Sequence, residues 1–411
     1  MEFTALHRLL GLSPGPLTDD MIDDAVAQQV AETDDLDFKD KLPPKKKVFE
    51  SDFPKDVAAM ANTGGGVLVF GVEEVNKAAV KRCDAGELDE NWERTLRRAA
   101  ITAISPPIFG LKVSRLGETN MRAVAVVVPA SIDGPHLIYR GEYFGAPVRN
   151  DADTEWMKER QIEARYRARF DERRHSAEAL TSMYEELAAG RDIEAQAWVI
   201  AVARPRISVF RQSRMTRDEA SSLFDRGGRQ ALVYADRGGF HPLEFVDWRN
   251  PRPGLRRWVA PNRATAPSAI WAQSQASIHD DGSVGIVARI GGQLNREEGY
   301  DPGNRVNSPS LEGVIADLLG LVRAVSGELG AGEYETRVGI EWSGEPLVIQ
   351  TVDGHGFPYD GESLPLARYS HVTTTIDTTV DDDGFFEQVR DLALDCVNQG
   401  GIVHLQKIRP S

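Results

Sequence analysis

The chain has only two cysteines in 411 residues, Cys83 and Cys396. They are too far apart and too few for a disulfide framework, and two thiols cannot build a structural zinc site by themselves. No window approaches the ~18 uninterrupted apolar residues of a membrane span. The first residues, MEFTALHRLLGLSPGP, lack the basic start, apolar run and cleavage site of a secretory signal. A cytoplasmic protein with no membrane partner is therefore expected. An excess of basic charge is also missing: 48 Lys and Arg face 63 Asp and Glu, for a net charge of −15. Over the whole chain that argues against a nucleic-acid coat protein, because phosphate binding needs Lys and Arg to release counterions. A hydrophobic fraction of 41% and a mean hydropathy of −0.35 exclude a mainly disordered chain.

What remains is a globular chain long enough for two or three domains of ~100–200 residues. Residues 1–30 read as a helical leader with Leu9, Leu10, Met21, Ile22, Ala25 and Val26 on its apolar face, broken at Pro14-Gly15-Pro16. Residues 31–174 read as a mixed α/β domain. Its strands are expected at 67–72 and 122–130, its helices at 52–62 and 91–104. Charges at helical spacing over 152–190 predict a long exposed helix or helix pair, with 175–195 as a helical linker. Residues 196–411 read as an α+β domain: a strand at WVIAVARP, a helix capped by Thr216, and a hairpin turning at Asp280-Asp281-Gly282. A helix begins at Ser308-Pro309, strands follow at ETRVGIEW and PLVIQTV, and a last helix covers 385–398. The fold class is α/β (α+β), without internal repeats.

Three motifs carry chemistry. The first runs Glu32-Thr33-Asp34-Asp35-Leu36-Asp37-Phe38-Lys39; in a strand, Asp37 and Lys39 share one face. The second is Ala61-Asn62-Thr63-Gly64-Gly65-Gly66, a strand, and then Gly71-Val72-Glu73-Glu74. The third is Gly134-Pro135-His136, followed by Tyr143-Phe144 and Val148-Arg149-Asn150. In this order, over about residues 30–170, the motifs resemble the Schlafen AlbA_2 domain family. The resemblance implies nucleic-acid binding by paired copies of the domain, hence a homodimer, in a regulatory, stress or phage-defence role. It also implies, as an alternative, a metal-dependent endoribonuclease acting on structured RNA such as tRNA. The family's catalytic acids would fall on Glu32, Asp37 and Glu73, with Glu74 as the alternate third. The chain departs from the pattern in having Glu-Thr for Glu-Ser and Asp-Phe-Lys for Glu-Phe-Lys.

Three converging carboxylates repel unless a cation sits among them. Mg²⁺ or Mn²⁺ accepts such oxygen ligands and activates water against a phosphodiester; Lys39 would steady the phosphate. The competing reading is a solvated acidic edge with Glu73-Glu74 in a turn. The glycine run could present N–H groups to a phosphate, but no Gly-Lys-Ser/Thr follows and the run precedes a strand. A helix C-cap with tight strand entry is the better account.

Polyanion contact rests on Lys45, Lys46 and Lys47 beside a Pro-Pro turn, on Arg97 and Arg98 along one helix, and on Arg140 and Arg149. Tyr139, Tyr143 and Phe144 offer stacking faces. These charges could equally be solvated and paired with nearby acids. Residues 1–37 carry a net −8, residues 38–174 a net +3 and the remainder −10. The acidic balance thus lies outside the region with the motifs. His136 reads as fixing a turn, and His279, His355, His371 and His404 lack metal-ligand spacing. Trp258, Trp271 and Trp342 read as core. The third expectation is a degenerate domain that serves as an interaction scaffold.

Overall fold

Val67 and Val69 point to one face of a short strand, Leu68 and Phe70 to the other, and all four are buried. Such a strand needs a covering layer on each side. The computed structural model describes residues 3–141, 143–207, 214–236, 240–263, 273–292, 299, 301–353, 358–359 and 363–408. Trp271, His355 and the side chain of Arg140 lie outside the described set. The chain divides into two units, Met1–Arg174 and His175–Ser411. Among the described residues no helix is long and apolar enough to cross a membrane.

The first unit runs α1 (Ala5–Leu9), α2 (Asp19–Ala27), β1 (Leu36–Lys39), a 3₁₀ turn (Lys45–Glu50), α3 (Phe53–Thr63), β2 (Gly66–Phe70), β3 (Val72–Val75) and β4 (Ala78–Arg82). It continues with α4 (Glu90–Thr102), β5 (Ile104–Ser105), β6 (Lys112–Leu116), β7 (Ala123–Val128), β8 (Leu137–Arg140), β9 (Tyr143–Gly145), β10 (Pro147–Asn150) and β11 (Asp153–Trp156). The central sheet has the order β1-β2-β7-β6. β1 and β2 are parallel, so the chain must cross between them, and α3 makes that crossover. On one face Leu68, Phe70, Val124 and Val126 pack with Val57 and Met60 of α3 and Leu96 of α4. On the other, Leu36, Phe38, Val67, Val69 and Ala125 pack with Leu6, Ile22 and Ala25. In the stretch expected as a helical leader, α1 and α2 form the second covering layer of this sheet.

α5 (Glu159–Ala188) is a single 30-residue helix, and the division between the units falls inside it. The second unit adds β12 (Trp198–Pro205), α6 (Arg217–Tyr234), α7 (Pro242–Phe245), β13 (Arg252–Gly254), β14 (Arg257–Ala260), β15 (Ser274–His279) and β16 (Val284–Arg289). β17 (Arg305–Asn307), α8 (Ser308–Leu329), β18 (Glu333–Glu341), β19 (Val348–Val352), β20 (Pro358–Tyr359), β21 (Val372–Asp377) and α9 (Asp382–Asn398) follow. Seven strands form an antiparallel sheet of order β13-β14-β15-β16-β12-β18-β21. Val199, Ala201 and Ala203 of β12 face the large core beneath α6, α8 and α9. Trp198, Ile200 and Val202 face Leu180, Tyr184 and Leu187 of α5. The stretch expected as a linker from residue 175 therefore packs as a covering helix as far as Ala188.

α8 is buried over most of its length. It meets α6 through a reciprocal pair of glycines. A Cβ on Gly227 would lie 2.9 Å from Leu321 Cα, and one on Gly320 would lie 2.5 Å from the Gly227 carbonyl oxygen. Thr216 caps α6 in a reciprocal box with Glu219. Glu312, fully buried on α8, accepts the backbone N–H groups of Gln406, Lys407 and Ile408 at 2.7–3.0 Å and so pins the final segment. Trp258 and Trp342 pack against the large core.

Candidate functional site

Strand alternation in β1 sends Leu36 and Phe38 into the core beside α1 and α2, which turns Asp37 and Lys39 toward the opposite face. There Asp37 is buried between two cations. Its Oδ1 accepts from Arg149 Nη1 at 3.0 Å, and Lys39 Nζ stands 2.6 Å from its Oδ2. Arg149, on β10, is buried too. Its Nη2 also donates to the Thr33 carbonyl at 3.3 Å, and its backbone N–H donates to Thr63 Oγ1 at 2.9 Å. Glu32 is buried nearby, with Oε1 accepting the Phe38 N–H at 2.8 Å.

A further acid joins them, one the motifs did not single out: Asp56 on the buried side of α3. Burial, reinforced by the Asp37 charge, pushes its carboxyl up to about 6, against the pull of Lys39 and Lys55. Burial likewise raises Glu32, opposed by the Phe38 N–H and assisted by Asp37 and Glu74. Burial alone would lower Lys39, but Asp37, Asp56 and Glu32 outweigh it and raise its pKa. The one clue to Asp56 in the sequence is that it is the only acid in the helix FPKDVAAMANT, just before its apolar run VAAMA.

Glu73 does not join this cluster. β3 and β4 lose register between Glu73 and Glu74, a bulge. Glu73 lies exposed, 3.9 Å from Lys81 Nζ, and it is Glu74 whose charge reaches Glu32. Among the described residues no three His, Cys, Asp or Glu side chains are grouped to hold a metal ion. Asp37 faces a cation at each oxygen, and Glu32 is tied to a backbone N–H. The structure thus does not bring the expected Mg²⁺ or Mn²⁺ ligands Glu32, Asp37 and Glu73 together as a set: Glu73 stands apart from the other two. Charge neutralisation that a metal would supply comes from Lys39 and Arg149.

The Asn-Thr-Gly-Gly-Gly motif has a packing role. Asn62 donates to the carbonyls of His136 and Pro147 at 2.9 and 2.8 Å and accepts the His136 N–H at 2.7 Å. It thereby ties the end of α3 to β8 and β10. A Cβ on Gly65 would lie 2.8 Å from Ala130 N and Val128 O, and one on Gly66 would lie 2.8 Å from Asp35 O. His136 is buried, its ring nitrogens 2.8 Å from the Pro106 carbonyl and 2.7 Å from Ser131 Oγ. Burial lowers its pKa.

The cations expected at a polyanion surface fall into two groups. Lys46 and Lys47 are exposed on the 3₁₀ turn and Arg98 on α4, which packs against that turn. Lys45 instead binds Asp89 at 2.7 Å, and Arg97 binds Glu93 at 2.9 Å and the Leu111 carbonyl. Arg149, buried on Asp37, is corrected from a ligand contact to a core ion pair. Tyr143 is 79% exposed, with Phe144 at 61% and Tyr139 at 58% on the same hairpin, and Trp156 of β11 is 48% exposed.

Residues 32–158 match the Schlafen, AlbA_2 family, and this segment is a Schlafen AlbA_2 domain. No curated protein matches the chain. Among the solved structures that match are two at 17% identity. One is the DIP2311 protein from Corynebacterium diphtheriae, with a TM-score of 0.25, covering 52% of this chain and 38% of that one. The other is the N-terminal domain of a Nitrosomonas europaea protein named as related to the ATP-dependent DNA helicase RecG. Its TM-score is 0.26, with 35% of this chain and 94% of that one covered.

Proposed function

We propose that the first unit binds nucleic acid, and that it does so without a metal ion. The Schlafen AlbA_2 match over residues 32–158 carries the reading. Exposed Lys46, Lys47 and Arg98 and the exposed rings of the 139–156 stretch support it, because phosphates take cations and bases take aromatic faces. The buried Asp37–Lys39–Arg149 cluster acts as the scaffold that fixes β1, β10 and α3. Metal-dependent RNA cleavage is not part of the proposal, since Asp37 is already held by Lys39 and Arg149. The role proposed with the family resemblance is regulatory, in stress or phage defence, with the chain acting as a homodimer.

Anisotropy titrations of labelled RNA and DNA against salt test this reading. Wild type should bind, with affinity falling linearly on a log–log plot. Lys46→Ala combined with Lys47→Ala should weaken binding and reduce the slope by about 1–2, at ~0.7–0.9 for each phosphate no longer neutralised. A slope unchanged by the pair removes these lysines from the interface. Absence of binding at low salt would leave the scaffold reading instead.

A further inference from the structure

The hairpin of β8 and β9 has a buried stem and an exposed aromatic tip. Register pairs Tyr139 with Phe144, Arg140 with Tyr143 and Ile138 with Gly145. By alternation Tyr139 and Phe144 share one face, and their ring centroids lie 5.7 Å apart. Tyr143 and Gly145 belong to the other face, where the Trp156 ring occupies the space a side chain would need: a Cβ on Gly145 would come within 2.6 Å of it. Below the tip, Ile138 is sealed in the main core of the unit, and Leu137 packs with Ala146 and Met157. The stem is thus fixed while rings on both faces remain in solvent. Single exposed aromatics are ordinary, but three gathered on one fixed hairpin, with the half-exposed Trp156 of β11 against it, mark a binding surface.

The neighbouring segment supplies charge. Residues 158–174 contain seven Lys and Arg against four Asp and Glu. Ile162 of α5 packs against the Leu137 cluster, and the Arg169 charge is felt by His136 at the base of β8. Arg167 and Arg174 are paired with Glu163 and Asp171 on the same helix, so the cation placed beside the hairpin base is Arg169, whose charge would meet a sugar–phosphate backbone there.

We infer that this hairpin is an aromatic finger that stacks on unpaired bases, so that the nucleic acid bound by the first unit is single-stranded. The inference rests on the proposed function and narrows it. In a duplex each base face is covered by its neighbours and only edges are offered, whereas a single strand frees whole faces for rings such as Tyr139, Tyr143 and Phe144.

The test uses the full chain with a short 2-aminopurine-labelled single strand and with the duplex of the same sequence. Wild type should prefer the single strand by at least about tenfold and quench the 2-aminopurine. Tyr143→Ala with Phe144→Ala should lose about tenfold or more in single-strand affinity and the quenching, while leaving the salt slope in place. Tyr143→Phe with Phe144→Tyr should retain both, which separates stacking from misfolding. Salt-sensitive binding that the alanine pair leaves intact, or a preference for duplex, overturns the finger but leaves nucleic-acid binding standing. A change only in self-association, read by sedimentation, assigns the rings to an interface between copies and also overturns it. Failure of wild type to bind either strand form removes both the finger and the function it rests on.

Discussion

Asp37 accepts from one buried cation and lies against a second, and its removal strands Arg149 in the core. Truncating one partner of a buried pair costs about 3–5 kcal/mol because the remaining charge is left uncompensated. Asp37→Ala should therefore lower the stability of the first unit in urea by that order, and a loss under about 1 kcal/mol would mean that Arg149 reaches water. Asp56 offers a pH signature. Its carboxyl titrates at about 6 when folded against 3.8 ordinarily, so the folded state holds the proton more tightly. That contribution is fully present below pH ~4 and is lost as pH rises through about 6, at ~1.4 kcal/mol per unit of difference. Asp56→Asn should thus be more stable than wild type at pH 7, by up to about 3 kcal/mol, with the gap closing below pH ~4. A constant difference across that range, in urea melts at several pH values, would contradict the assignment. Of this cluster, the shared face of Asp37 and Lys39 is legible from strand alternation alone. The Arg149 partner is not, because 112 residues separate it from Asp37 and a lone arginine reads as solvated. The position of Glu73 apart from Glu32 is not legible either, because the β3–β4 register shifts between Glu73 and Glu74 without a compositional mark.

Elements with strong apolar periodicity can be read directly: β2, β7, β12, the β15–β16 hairpin and α8 lie where the pattern and turn residues predict. The hairpin β3–β4 carries VEEV and β11 carries DTEW, which show too little alternation to be seen. The packing of α1 and α2 is hidden for a different reason, since a short apolar face does not say which surface it will cover. The α6–α8 packing likewise depends on two glycines distant in sequence. Gly320→Ala places a methyl 2.5 Å from a backbone carbonyl and 2.7 Å from Ala231 N, and neither can yield without moving a helix. Overpacking of this kind costs typically ~1–3 kcal/mol. Calorimetry should show a lowered melting transition for the second unit, and an unaltered one would mean that the helices separate freely.

At the level of the whole molecule, a net charge of −15 hides a region, residues 38–174, that is mildly positive. That distribution predicts modest affinity that collapses with added salt. The buried ion pairs predict in turn that divalent cations have nothing to bind in the Asp37 cluster. Saturating Mg²⁺ or Mn²⁺ should leave the thermal transition of the first unit where it is, because a ligand that binds only the folded state would raise it. A rise of several degrees would restore the metal-site reading. The most direct measurement of the central claim is a salt titration of nucleic-acid binding by the full chain, run in parallel with EDTA and with Mn²⁺. The account predicts binding at low salt with a negative log–log slope, identical in both conditions and with the strand left intact. Binding that appears only with Mn²⁺, accompanied by strand cleavage that Asp37→Asn abolishes, would contradict it.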